Sequence, residues 1–365
     1  MLDFTSALYL GFEHASWNLP GWPQLTLGKP GALEALPGTV QAQEQLAALT
    51  GCERVLLGSS TLHLFCDLFA MLATRNVAIW VDDAAYPIAR WGTDRAAASG
   101  VCVRTFPAHD AAALRKALRG SHDARPVIVT DGFCPIRGTP APLSEYAVSV
   151  EDAGGLLIVD DTQALGVLGR KPSSLDPYGN GGGGSLRHSN LRHSRTVVVS
   201  SLAKAFGVPV AMIGGSRSLM GEFRENSASL VHCSPPSAAS MAAALRALEM
   251  NRRWGDGLRR RLATHVSRFR QAVPDLVVAG SLFPVQPLKF PAQVDTRALH
   301  AALTRQGVRS ILHRDPGDGR PRISFVFTAR HGIEEIDQAA RILASAGARI
   351  RRKAKGVGGN VSRTR

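Results

Sequence analysis

GGLLIVDDTQALGVLG at residues 154–169 and TVVVSSLAKAFGVPVAMIGG at residues 196–215 are the two stretches on which the fold turns. Each contains a short run of branched apolar residues and then breaks into acids, hydroxyls or a lysine. Continuous Val/Ile/Leu runs bounded in this way suit strands buried on both faces, as in a parallel sheet. Comparable runs lie at Arg54–Leu57, Val77–Val81, Val101–Phe106 and Pro126–Thr130; within the quoted stretches the strands are placed at Leu156–Asp160, Thr196–Ser200 and Val210–Gly214. Helical patterns fall between them at Val40–Leu49, Leu62–Ala73, Tyr86–Ala98, Ala111–Leu118 and Leu143–Ala153. This alternation predicts an α/β fold, a mostly parallel sheet flanked by helices and joined by right-handed crossovers. A Gly/Ser-rich segment, Pro172–Ser189, interrupts it and is read as a flexible loop, since it lacks the Gly-Lys-Ser/Thr ending of a nucleotide loop.

After Pro235-Pro236 the pattern changes. Ser237–Asn251 and Arg259–Ala272 read as two long helices. Short strands (Leu276–Ala279, Val308–Leu312, Arg322–Thr328) then alternate with helices (Thr296–Arg305, Gly332–Ala346), which predicts a smaller α+β lobe. The expected organisation is a segment 1–39 joining the small lobe, a large domain 40–236, a small domain 237–346 and a basic, disordered tail 347–365.

Composition narrows the classes. The chain has 365 residues, 45% of them hydrophobic and 20% charged, which excludes whole-chain disorder. No apolar run is long enough to span a bilayer, and the N-terminus lacks the features of a signal peptide, so a cytoplasmic protein is expected. The five cysteines are scattered and odd in number, which argues against a disulfide framework or a zinc site; isolated buried thiols and no metal are expected. Of the net charge of +14, seven basic residues lie between Arg349 and the end. No helix-turn-helix, finger or aromatic platform accompanies them, so neither a specific nucleic acid nor a membrane partner is expected.

The strand ends carry the chemistry. Asp160 closes LLIVD and delivers a carboxylate to the carboxyl edge of the sheet, where open α/β folds bind ligands. Asp161 follows, and one of the two is expected to face outward. Of seven lysines, only Lys204 lies in an almost wholly small or apolar stretch. Desolvation lowers the pKa of such an amine, the condition for a Schiff base with an aldehyde. Ser201 beside it offers a hydroxyl to a phosphate. Ser60 and Thr61 open a helix directly after a strand, an arrangement that binds anions through free N–H groups. Tyr86 follows another strand end, where a ring can stack on a flat cofactor. A phosphate site, a stacking ring, a carboxylate for a ring nitrogen and a lysine for an aldehyde together describe pyridoxal 5′-phosphate.

At this point the sequence resembles the fold-type I pyridoxal-phosphate enzymes, and within class II aminotransferases the α-oxoamine synthases, such as 8-amino-7-oxononanoate synthase. The resemblance is carried by Leu8-Tyr9-Leu10-Gly11, TDGFCPIRGTPAPL (Thr130–Leu143), VDDTQALGVLG (Val159–Gly169), SSLAKAFG (Ser200–Gly207), Pro235-Pro236 and RPRISFVFTARHGIEEID (Arg320–Asp337). It implies that Lys204 is the Schiff-base lysine, that Asp160 partners the pyridine nitrogen, and that Ser201, Ser60 and Thr61 lie near the phosphate. It also implies a homodimer in which the stretch His232-Cys233-Ser234 contacts the neighbouring subunit's phosphate. Tyr86 and Gln163 stand where the synthases have histidines, and Pro135 stands where they have a serine. Arg314 and Arg322 are the candidates for the substrate carboxylate, because a guanidinium fork fits it.

The expected activity is decarboxylative condensation of an amino acid with an acyl thioester. The alternatives are transamination, or other pyridoxal-phosphate chemistry such as racemisation or decarboxylation, without an acyl donor. The third is a non-catalytic basic binding protein, against which the intact Asp160/Lys204 pair argues.

Overall fold

The computed structural model describes residues 1–14, 19–20, 24–29, 33–119, 124–191, 194–277, 280, 282–291, 293–315 and 319–358, with side chains to residue 347. Contacts divide the chain into two units: 11–134 with 140–256, and 1–10 with 135–139 and 257–365.

The larger unit is built on seven strands: β1 (Arg54–Gly58), β2 (Val77–Asp82), β3 (Cys102–Phe106), β4 (Arg125–Asp131), β5 (Leu156–Asp160), β6 (Thr196–Ser201) and β7 (Ala211–Gly215). Their order across the sheet is β1-β7-β6-β5-β4-β2-β3. β7 runs antiparallel to both neighbours and every other pairing is parallel. The crossovers that parallel pairing requires are supplied by helices. These are α1 (Thr39–Thr50), α2 (Thr61–Leu72), α3 (Pro87–Ala98), α4 (Ala111–Leu118), α5 (Leu143–Asp152), α6 (Ser185–His188), α7 (Arg217–Asn226) and α8 (Ala228–His232). Because β1 reverses direction twice through β7, its end lies at the same edge as the ends of β2, β4, β5 and β6.

Apolar periodicity explains the packing. In α2 (TLHLFCDLFAML) Leu64, Phe65, Leu68 and Phe69 are fully buried and join Ile79, Val129, Ile158 and Val199 of the sheet in one core. Gly92 lets α3 approach, because a Cβ there would lie 2.7 Å from the Phe69 ring. Of the five cysteines only Cys134 is buried, and Cys102 and Cys233 are exposed, contrary to the sequence expectation. The edge position of β3 exposes Cys102, and Cys233 follows a helix none of whose residues is buried.

The 35 residues of α9 (Ala238–Ala272) form one helix where the sequence predicts two, and the division between units falls inside it after Asp256. The Trp254-Gly255-Asp256-Gly257 interruption is bridged: Asp256 accepts the Gly181 N–H (2.8 Å) and Asn251 donates to Gly181 O (2.9 Å). The Gly/Ser-rich segment is accordingly packed, with Gly182, Gly183, Gly184 and Ser185 all buried.

The smaller unit holds β8 (Val285–Pro287), β9 (Ile311–Arg314) and β10 (Pro321–Val326), antiparallel in the order β8-β10-β9, with α10 (Thr296–Arg305) and α11 (Ile333–Gly358). Its core is aromatic: Phe269 packs against Phe325 (5.0 Å between centroids) and Phe327 (4.9 Å). Only residues 1–10 of the N-terminal segment belong here, through pairing of Leu2-Asp3 with Val308-Arg309. The stretch expected as a disordered tail is helical as far as Gly358, in keeping with its strong helix formers Ala, Arg and Lys. Residues 359–365 lie outside the described residues, as do 278–279 of the Leu276–Ala279 strand reading.

Candidate active site

Five strand ends meet at one edge of the large sheet, and each hands over to a turn of polar residues. The β1 turn carries Ser59, Ser60 and Thr61. Ser60 caps α2 by accepting the Leu62 N–H (3.1 Å) and keeps its own proton to donate. Ser59 donates to the carbonyl of Ser234 (2.8 Å), tying this turn to the segment after α8 that contains His232. His232 itself is exposed.

At the end of β5, Asp160 is 6% exposed and accepts the Thr162 N–H (3.0 Å). Burial pushes its carboxyl above the usual carboxylate range, opposed by hydrogen bonds from Thr162 and by the Lys204 ammonium. Asp161 does not face outward. It is 1% exposed, both its oxygens accept the Ser185 N–H (3.1 and 3.0 Å), and burial pushes its pKa up to about 7. The Gly/Ser-rich segment covers it: Gly184 has φ +89°, and a Cβ there would collide with the Asp161 carboxylate.

β6 passes Ser200 and Ser201 into the turn that bears Lys204. The turn is closed by Leu202 N–H to Val210 O (2.8 Å) and Val208 N–H to Leu202 O (3.1 Å). Ser201 accepts the Ala203 N–H (3.2 Å) and keeps its own proton to donate. Ser200 Oγ is fully buried with no hydrogen-bond partner among the described residues. Burial lowers the Lys204 pKa, while Asp160 and then Asp131 counter that shift. The amine is therefore more readily neutral and nucleophilic than a solvated lysine. Gln163 is half-buried in the turn after Asp160, and Tyr86 is 53% exposed at the start of α3.

Sequence reading missed Asp131. It closes PVIVTD just as Asp160 closes LLIVD, and the two are register partners on adjacent parallel strands. That repetition was the available signal, lost by ending the strand at Thr130. Asp82, at the end of β2, is wholly buried and accepts from the Ala84 N–H (2.8 Å) and from the hydroxyls of Tyr146 (2.9 Å) and Thr130 (3.1 Å). Lys204, Asp160, Asp131 and Tyr86 are thus coupled in one place. Arg314 and Arg322 belong to the smaller unit, where Arg322 is ion-paired with Asp315 and Arg314 is exposed.

A mostly parallel sheet with one reversed strand, a lysine turn and a carboxylate at its carboxyl edge define a fold-type I pyridoxal-phosphate enzyme. Residues 33–343 match the aminotransferase class I and II family. The 8-amino-7-oxononanoate synthase of Halorhodospira halophila is 31% identical over 315 residues, covering 83% of this chain and 73% of the relative. That of Klebsiella pneumoniae is 27% identical, covering 94% and 88%. In structure, Sphingomonas wittichii serine palmitoyltransferase superposes with TM-score 0.83 at 18% identity (95% and 87% covered). The 8-amino-7-oxononanoate synthase of Francisella tularensis gives 0.75 at 19% identity (94% and 97%). The chain belongs to the aminotransferase class I and II family, on its α-oxoamine synthase side.

Proposed function

We propose that the protein condenses an amino acid with an acyl thioester, releasing carbon dioxide and the free thiol, with pyridoxal 5′-phosphate as cofactor. The carrying observation is Lys204, its amine held in low-dielectric surroundings and facing the Asp160–Asp131 pair. A serine palmitoyltransferase variant from S. paucimobilis that shares this fold has been solved with a bound pyridoxal phosphate–myriocin aldimine, which supports the cofactor. The donor set here fits it: a nucleophilic amine, a buried carboxylate, an unpartnered Ser200 hydroxyl and the free Ser201 proton.

When bound, pyridoxal phosphate supplies an electrophilic aldehyde and a ring that accepts the electron pair released at the amino acid's Cα. Lys204 would hold the aldehyde carbon and, once displaced by substrate, take the Cα proton on Nζ. Asp160 would face the ring nitrogen, where a cation favours the ionised carboxylate over its buried neutral form. Ser60, Thr61 and Ser201 would hold the phosphate, with His232 beside them in the neighbouring copy of a homodimer. Tyr86 would stack on the ring, and Gln163 would donate to the phenolic oxygen without changing charge near neutral pH. Arg314 and Arg322 remain the proposed carboxylate ligands, Arg322 after release from Asp315. The substrates are an amino acid and an acyl thioester, and the setting is cytoplasmic; among the described residues no helix is long and apolar enough to cross a membrane.

Transamination is the second reading, favoured by Tyr86 and Gln163 in place of titratable imidazoles. Amino acids are supplied with and without acyl-CoA, and carbon dioxide and free thiol are measured. Release of both only with acyl-CoA supports condensation; conversion of amino acid to oxo acid without it refutes condensation. Lys204→Ala is expected to abolish the cofactor adduct that borohydride traps on the chain, and a persisting adduct would contradict the lysine's role.

A further inference from the structure

The large sheet ends in two carboxyl groups where the proposed chemistry uses one. Asp131 and Asp160 are register partners on adjacent strands, 5% and 6% exposed, and both face the Lys204 charge. Neighbouring strands lie about 4.8 Å apart, so two bare carboxylates here would repel across a low dielectric. Asp160 is held by Thr162. Asp131 reaches the other way: its Oδ1 accepts the backbone N–H of Tyr86 at 3.0 Å, across 45 residues of chain. Its Oδ2 has no hydrogen-bond partner among the described residues. Tyr86 is the N-cap residue of α3, with no side-chain cap of its own and Pro87 next in the chain. The Asp131 bond therefore holds the N–H side of the backbone from which the exposed Tyr86 ring projects.

Resting on the function proposed above, we propose that Asp131 is a positioning residue that acts through Tyr86, its carboxyl holding the Tyr86 backbone so that the ring lies over the cofactor. Beside burial, Asp160 on β5 and Asp82 on β2 disfavour its ionisation, whereas the Tyr86 N–H bond and then Lys204 favour it. Burial is the largest of these causes, and the carboxyl is pushed well above its ordinary range. Asparagine has the shape of that neutral acid, with one acceptor for the Tyr86 N–H and donors for the cleft.

The test uses the full-length protein and reads pyridoxal phosphate affinity by fluorescence quenching, independently of turnover. A borohydride-trapped adduct on wild-type Lys204 is checked first; its absence overturns the cofactor reading and leaves Asp131 out of the question. Given the adduct, Asp131→Asn is expected to bind within about 2-fold of wild type and Asp131→Ala about 10-fold more weakly, the scale of one lost buried hydrogen bond. In a Tyr86→Ala background Asp131→Ala is expected to weaken binding no further, as befits two groups that act as one. An Asn variant as weak as the Ala variant would mean that the negative charge is what matters. Additive losses in the double variant would mean that Asp131 does not act through Tyr86. Either result overturns the proposal.

Discussion

Replacing Asp161 by Asn offers a test of how tightly the Gly/Ser-rich segment seals the large unit. The acid's ordinary value of 3.8 is raised to about 7 by burial. A raised carboxyl pKa reverses the usual acid linkage. Below about pH 4 the group is protonated in both the folded and unfolded chain and contributes nothing. Above that the unfolded chain ionises while the folded protein holds its proton, so stability falls steadily until about pH 7 and then levels off. The full shift of roughly 3 units corresponds to about 4 kcal/mol, of which about 2–3 kcal/mol is lost between pH 5 and pH 8. Asn keeps one acceptor for the Ser185 N–H and cannot ionise. Urea unfolding followed by tryptophan fluorescence should show the variant gaining on wild type by about 2–3 kcal/mol over that range. Titrating groups that do not sense the Asp161 charge, unlike Asp160 and Cys52, are common to both proteins and cancel in the difference. A difference flat with pH would mean that Asp161 ionises freely, and the argument from burial would fail.

Other substitutions test neighbouring parts of the structure. Gly184→Ala places a Cβ at φ +89° against the Asp161 carboxylate, and a loss of about 2–4 kcal/mol in urea unfolding is expected. Tyr146→Phe removes the hydroxyl on Asp82 and should lower stability by about 1–3 kcal/mol, measurable by thermal melting; no change would mean that Asp82 finds another donor. Asp160→Asn is expected to leave the borohydride-trapped adduct in place while turnover falls at least about 100-fold, and near-normal turnover would reject its role opposite the ring nitrogen.

Much of the large unit was legible because its signals are local. All seven sheet strands were predicted within a residue or two, since a strand buried on both faces must be apolar throughout and must end where polar residues begin. Lys204 stood out for the complementary reason, as a charge that its apolar neighbours do not explain. Errors came where long-range contacts overrode local cues. The Trp254–Gly257 interruption looks like a helix break until Gly181 is seen bonded to Asp256 and Asn251. The run of glycines looks like a flexible loop, yet its lack of Cβ atoms is what lets it close over Asp161.

Pattern and chemistry in the chain alone determined a mostly parallel α/β sheet, a lysine set among apolar residues and a carboxylate at a strand end, because periodicity and desolvation are properties of single segments. Strand order and register were left to the tertiary structure. Only pairing β4 beside β5 brings Asp131 level with Asp160, and only the approach of residue 86 to that edge joins its backbone to Asp131. Charge coupling falls off over a few ångströms in the folded protein, whereas these residues stand tens of positions apart in the chain. The number of carboxyl groups brought near Lys204 is therefore a consequence of the fold.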